Sequence, residues 1–325
     1  MTTQDWPLVL YQIFVQGSVG VFLTLGALLL LSRYRGEYVR EYTRIALVGC
    51  CLVACLVGAA LVISWFHVSQ MLRVFSSAPN LGSSWLAREV VFTVAFLGMV
   101  IITGALLLAR RVPLYVRLGW GGLTGLVGLM TIVSMSMVYM LNARPAWNNP
   151  ATMMTFLTTT MLLGVLTAGV IAGGYSLTAG RRVPALASLL SRDYTALGMW
   201  AMVALIVQGV NVGALVSYLS TGPQPARDAL DILTSTYGGW FWVRLIVGIA
   251  APLLLTAAIW WTKGKETTAQ APTFVPRVAP IGLGALAAAV EVPAYRWMSM
   301  AFLLAITGEL IGRFLFFLAV APVTP

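Results

Sequence analysis

The chain has 325 residues, of which 59% are hydrophobic and only 9% charged, with a mean hydropathy of +0.89. A soluble domain carries about 25% charged residues, so this polypeptide has too little polar surface to cover a water-soluble globule, and lipid is its natural solvent. The net charge of +10 would suit a nucleic-acid partner, but its distribution along the chain excludes that reading.

A membrane helix needs roughly 20 mostly apolar residues to cross about 30 Å of hydrocarbon. Runs of that kind fall near 8–31, 45–66, 90–109, 118–140, 153–178, 195–217, 240–261 and 298–320. The alternation of an outer-membrane β-barrel is absent. The expected fold class is therefore an all-α integral membrane protein, an eight-transmembrane-helix bundle forming a single membrane domain over residues 1–325. Ahead of span one, Met1–Pro7 holds an Asp and no Lys or Arg, and the apolar run that follows is longer than a signal h-region, so span one is expected to be retained. Span two contains all three cysteines, Cys50, Cys51 and Cys55, which read as small apolar core residues. The loop 67–87 is rich in turn residues, and 218–239 is a second long loop on the same side. The stretch 262–297 holds four prolines and an apolar part, Val278–Val290, too short to span. It is expected to lie on the surface or re-enter.

The basic residues alternate by side. Arg33, Arg35, Arg40 and Arg44 follow span one. Arg110, Arg111 and Arg117 follow span three, and Arg181, Arg182 and Arg192 follow span five. Lys263, Lys265, Arg277 and Arg296 follow span seven. Fourteen of the twenty thus share one side, which the positive-inside rule makes cytoplasmic. Both termini are then expected outside. Trp and Tyr gather near span ends (Trp6, Tyr11, Trp65, Trp85, Trp147, Tyr237, Trp240, Trp242, Trp260, Trp261), where interfacial anchoring accounts for most of them.

Charges at membrane depth cost about 2.5–3.5 kcal/mol or more each at a helix centre, so the few present here carry information. His67, the single histidine, ends span two. It reads either as an interfacial residue bonded to backbone or water, or as a group that exchanges protons near neutrality. Glu89, beside Arg88, opens span three. It reads either as a helix-dipole cap or as a partner for His67, since only 21 residues separate them and their helices meet on one side. Glu309 and Arg313 in span eight are four apart on one face and read as a self-neutralising ion pair, structural or functional. The topology gathers His67, Arg73, Glu89, Arg244 and Arg313 into the outer half of the membrane, where a base, a carboxylate, cations and aromatics suit a lipophilic redox ligand. One histidine cannot supply a bis-histidine haem, and the cysteines do not form an iron–sulfur set. No haem or metal is expected in this chain, and any electrons it handles must pass to a partner.

Several segments taken in order resemble the DmsC family, the membrane-anchor subunit of anaerobic dimethyl sulfoxide reductase. They are Trp6-Pro7-Leu8, then Ser64-Trp65-Phe66-His67 with Arg73, Phe75, Asn80, Gly82, Ser84, Leu86 and Glu89. Trp147 with Pro150 and Tyr237-Gly238 with Arg244 follow, and Gly308-Glu309-Leu310-Ile311-Gly312-Arg313 is the most specific element. The resemblance implies eight helices with both termini outside, in a bacterial or archaeal cytoplasmic membrane. It implies a menaquinol-oxidising site at the outer, periplasmic face served by His67 and Glu89, with Arg73, Arg244, Glu309 and Arg313 around the quinol. It also implies partners: an iron–sulfur subunit of the four-cluster, ferredoxin-like kind and, through it, a molybdopterin catalytic subunit for anaerobic respiration. The sequence departs from the family pattern after His67, at Val68, Ser69, Gln70 and Met71, and at Phe316-Phe317, where the family carries a hydroxyl. Two other classes fit the composition, a secondary transporter gated by Glu309 and Arg313 and an anchor without quinol chemistry. The sequence shows no pair of broken helices in corresponding halves, and polar residues near the midplane are sparse, which together weigh against the transporter.

Overall fold

The computed structural model describes residues 6–65, 82–109, 111–142, 144–179, 184–269 and 283–319. Among these residues the chain is helix joined by short turns, without a strand. In chain order the helices are α1 (Trp6–Arg35), α2 (Val39–Trp65), α3 (Trp85–Leu108), α4 (Leu114–Tyr139), α5 (Pro150–Ala179), α6 (Pro184–Thr221), the short α7 (Gln224–Asp231), α8 (Gly238–Leu245), α9 (Ala251–Ala269) and α10 (Leu283–Leu318). A π-helical turn, Ile232–Thr236, leads from α7 towards α8. A second, Ile246–Ala250, fuses α8 and α9 into one rod. Among the described residues eight helices are long and apolar enough to cross a bilayer, matching the eight runs in the sequence.

The helices overrun the apolar runs, because a helix continues through the interfacial layers once its backbone is satisfied. The clearest departure is in 262–297. Residues 263–269 finish α9, and Leu283 begins the 36-residue α10. The described part of the expected surface-lying or re-entrant segment is thus the start of the last helix. Residues 278–282 lie outside the described residues. The loop 218–239 likewise contains α7, whose Ala226 and Ala229 are buried while Gln224, Arg227, Asp228 and Asp231 face outward.

In hydrocarbon every backbone polar group must find a partner within the protein. Many of the threonine hydroxyls follow the same rule. Thr93, Thr103, Thr124 and Thr160 each return their proton to the carbonyl four residues earlier, at 2.8–2.9 Å. Ser84 caps α3, accepting from the Ala87 amide at 3.3 Å. At the other end of α3, Arg117 donates to the carbonyls of Ala109 and Val112 at 2.7 and 2.8 Å.

Helices α1 and α5 are the most buried and pack against each other at the centre. Around them, α2 and α4 pack on α1 with α3 held between α2 and α4, and α6 and α10 pack on α5 with α9 held between α6 and α10. Trp6 meets Phe314 edge-on at 4.1 Å, so the start of α1 and the end of α10 lie at the same end of the bundle. That end, where α3 also begins, is the Glu89 end. The opposite end, where α1 finishes and α2 begins, is the Arg35 end. Cys50 alone of the three cysteines is core, whereas Cys51 and Cys55 point away from it. Trp240, Trp242, Trp260 and Trp261 are exposed, as interfacial anchors are. Tyr11 and Trp147 are instead buried and belong to the site.

Candidate functional site

Helix α3 carries Glu89 into the protein. Since Ser84 is the cap and Trp85 the first helical residue, Glu89 sits in the second turn rather than at the terminus. The cap reading is corrected accordingly, for a group placed there is past the reach of the free amides. The Glu89 carboxyl is 5% exposed and lies against the Tyr11 hydroxyl of α1. Tyr11 shares a 3.1 Å hydrogen bond with Thr93, one turn along α3. Arg88, next in sequence, turns outward over the Trp85 ring at 4.2 Å and donates to the Gly82 carbonyl at 2.7 Å.

Two antiparallel elements, α10 and the rod formed by α8 and α9, build the second part of the site. They cross at Gly248 and Gly308, where a Cβ on Gly308 would lie 2.1 Å from the Gly248 Cα. Small residues let membrane helices approach this closely. One turn further along each element, Arg244 lies over Gly312, and a Cβ there would stand 2.5 Å from its Nε. Gly248 belongs to the π turn, a local departure from α-geometry that often marks functional positions.

Glu309, Arg313 and Arg244 are all at least nine-tenths buried. Glu309 and Arg313 do share a face, as their spacing predicts, but they do not form the expected ion pair. Glu309 instead accepts from the Thr159 hydroxyl of α5 at 2.7 Å and from the Gln208 amide of α6. Arg313 donates from Nη2 to Gln16 of α1 at 2.9 Å, and its guanidinium lies 3.9 Å from the Phe156 ring centre. Its Nε and Nη1 have no hydrogen-bond partner. Arg244, Glu309 and Arg313 line one cavity of about 50 Å³ with Trp147, Phe316 and Thr155. Leu233 of the first π turn and Ala229 of α7 close part of its wall. Two cations and one anion facing one small space leave an excess of positive charge.

The two parts are joined through α1. Gln12 donates to the Tyr139 hydroxyl at 2.6 Å, and Gln16, one turn on, accepts from Arg313. Tyr139 lies within electrostatic reach of both Glu89 and Arg313. Its ring contacts Trp147, Phe156, Phe316 and Phe317. Trp147 stacks on Phe316 at 4.9 Å and donates its indole N–H to the Phe316 carbonyl at 2.9 Å. Among the described residues six buried side-chain atoms lack a partner. Four of them, Gln12 Oε1, Gln208 Oε1 and the two of Arg313, belong to this network.

The structure thus brings Glu89, Arg244, Glu309 and Arg313 to one end of the bundle. His67 and Arg73 lie outside the described residues, and with them the expected approach of His67 to Glu89. Sequence reasoning missed Tyr11, Gln12, Gln16, Tyr139, Thr159 and Gln208. The signal was present in Gln12 and Gln16, two amides four apart in an otherwise apolar run, and in Gln208 in span six. Gln12, Gln16, Gln208 and Asn211 are all buried.

Fold and site together define a multi-pass helical membrane protein with a buried, charged polar network at one end. The family model described as the dimethyl sulfoxide reductase anchor subunit, DmsC, matches residues 1–318. The chain belongs to that family, and it is accordingly a membrane-anchor subunit of a complex with catalytic subunits. It is 25% identical over 320 residues to the C subunit of the anaerobic dimethyl sulfoxide reductase of Escherichia coli, covering 96% of this protein and 94% of that one. It is 25% identical over 161 residues to the C subunit of the Haemophilus influenzae enzyme of the same name, covering 50% of this protein and 56% of that one. To the anaerobic dimethyl sulfoxide reductase subunit YnfH of Escherichia coli it is 24% identical over 167 residues, covering 51% and 57%.

Proposed function

We propose that this subunit oxidises menaquinol at the Glu89 end of the bundle and passes the electrons to an iron–sulfur subunit docked there, which feeds a molybdopterin catalytic subunit. On this reading the Glu89 end faces the periplasm, in a bacterial or archaeal cytoplasmic membrane with both termini outside. The observation that carries it is the set of buried donors and acceptors without partners around Arg313, Gln12 and Gln208, beside a cavity holding two guanidinium groups and one carboxylate. A purely structural anchor has no use for buried polar atoms left unpaired, each of which costs about 1–3 kcal/mol. A ligand oxygen entering that cavity would accept from the free Nε and Nη1 of Arg313.

Quinol oxidation releases two electrons and two protons. The electrons go to the iron–sulfur partner, and the protons need acceptors on this chain. His67, as a neutral imidazole, would take one from a quinol hydroxyl. Glu89 would orient His67 or pass the proton to the outer aqueous phase, which frees His67 to take the second. Arg244 and Arg313 would stabilise negative charge on the quinol oxygens as the protons leave, fixed in advance where that charge develops. Glu309, held by Thr159 and Gln208, would keep the two cations in place. The Trp147–Phe316 stack supplies a flat aromatic wall, and the Tyr139 ring stands edge-on to Phe316 and Phe317, 5.4 and 5.8 Å away.

The test uses the intact complex in native membranes. His67→Ala and Glu89→Gln should each lower menaquinol-dependent turnover by roughly 10²–10⁴-fold, the range of general acid–base catalysis. The complex should stay assembled, and reduction driven by an artificial dye that bypasses this subunit should stay normal. Wild-type quinol turnover in both variants would remove the proposal.

A further inference from the structure

At the Arg35 end, a groove and a basic rim meet away from the network described above. Between α1, α2, α3 and α4 an apolar cavity of about 260 Å³ is lined by Leu25, Leu29, Cys50, Leu107, Gly122 and Leu126. It is open on one side, and Gly26, Gly121 and Gly122 on its wall have nothing within 4 Å of where a Cβ would stand. A second, wider recess of about 550 Å³ adjoins it, lined by Arg40, Arg44, Arg117, Thr43, Leu108 and Leu114. Leu107 and Arg117 border both, so the apolar groove runs into the basic recess.

The three arginines differ in how they are held. Arg117 is fixed by its bonds from Nε and Nη2 to the carbonyls at the end of α3, which leaves Nη1 for an outside acceptor. Arg44 is paired with Glu41 at 2.9 Å but remains half exposed, and Glu41 is also engaged by Tyr175. Arg40 is exposed. With Glu41 counted, the rim keeps a surplus of two positive charges. This is also the end at which the sequence concentrates its basic residues, the side that meets an anionic leaflet.

We propose that this recess is a binding site for one anionic glycerophospholipid of the bilayer, with its headgroup phosphate among Arg40, Arg44 and Arg117 and one acyl tail in the groove along α1 and α4. Charge complementarity sets the headgroup class. Basic recesses between membrane helices on this side bind anionic headgroups, and a zwitterionic lipid would leave the surplus charge unmatched. The continuity of groove and recess sets the ligand type, since a free phosphate would use the rim and leave the apolar groove open. The site is independent of the quinol reading.

The test incubates the purified complex in mixed detergent micelles of equimolar phosphatidylglycerol and phosphatidylcholine, removes unbound lipid, and counts retained lipid by native mass spectrometry. The wild-type complex should retain phosphatidylglycerol in preference by roughly tenfold or more, the scale expected for two or three basic side chains at an anionic surface. The double variant Arg40→Gln, Arg44→Gln should lose that preference. Gly122→Leu, whose side chain enters open space, should reduce retention with all three arginines in place. Excess inorganic phosphate should not displace the lipid. Gel-filtration elution as the intact complex controls for folding. Retention of the two lipids in the supplied ratio by the wild type, unchanged phosphatidylglycerol retention in both variants, or full displacement by phosphate would each overturn the proposal.

Discussion

Asp193 and Glu309 are both carboxylates with 2% of their surface exposed, and the protein treats them in opposite ways. Asp193, at the Arg35 end, takes the Arg35 guanidinium directly at 2.9 Å and the buried Tyr42 hydroxyl on its other oxygen. It thereby ties α1 and α2 to α6. Glu309, at the Glu89 end, shares a cavity with two guanidinium groups and bonds to neither, taking a hydroxyl and an amide from α5 and α6 instead. Its neighbour Arg313 keeps donors free. One end uses its charges to hold helices together. The other holds them apart at some cost in stability, the usual sign of a site arranged for a ligand.

Breaking the paired end should have the largest effect on the fold. Asp193→Ala strips Arg35 and Tyr42 of their partner and should cost about 3–5 kcal/mol, as loss of one member of a buried pair does. Thermal unfolding of the solubilised complex should show a marked drop, while quinol turnover per folded complex stays at the wild-type level. At the other end, Gly312→Ala places a methyl against the Arg244 guanidinium. The strain of such overpacking is about 1–3 kcal/mol, and the displaced Arg244 should lower quinol turnover more than it lowers stability. Gln16→Leu removes the one acceptor of Arg313 and should cost about 1–3 kcal/mol, with a fall in quinol turnover that dye-driven assays do not share. Phe316→Leu should be mildest. It loses the stack on Trp147, about 0.5–1.5 kcal/mol beyond area burial, and should raise the KM for quinol more than it lowers kcat.

The eight spans and their order were legible because each is a long apolar run, and bilayer thickness alone fixes the length such a run needs. Glu89, Arg244, Glu309 and Arg313 were legible for the same reason in reverse, as rare charges in an apolar background. Their partners were not. Whether Glu309 bonds Arg313 or Thr159 depends on how α10 is rotated against α5 and α6, and that rotation is set by the Gly248–Gly308 crossing. The i,i+4 spacing made the ion pair the natural expectation, yet helices with small residues at their crossings bring in competitors from other segments. Asp193 was hidden differently. It sits within a basic stretch beside Arg192, and nothing local shows that its partners come from α1 and α2.

The most direct test of the contrast is Arg313→Met in the intact complex, read by thermal unfolding and menaquinol turnover together. Methionine keeps much of the side-chain length against Phe156 while removing two buried, unpaired donors. Stability should stay close to that of the wild type, because relief of a buried cation with two unpaired donors offsets the lost bond to Gln16. Menaquinol oxidation should fall by roughly 10²-fold or more, the size seen when a preorganised donor is removed. A fall in stability like that of Asp193→Ala, with the surviving complex oxidising menaquinol at the wild-type rate, would contradict both expectations.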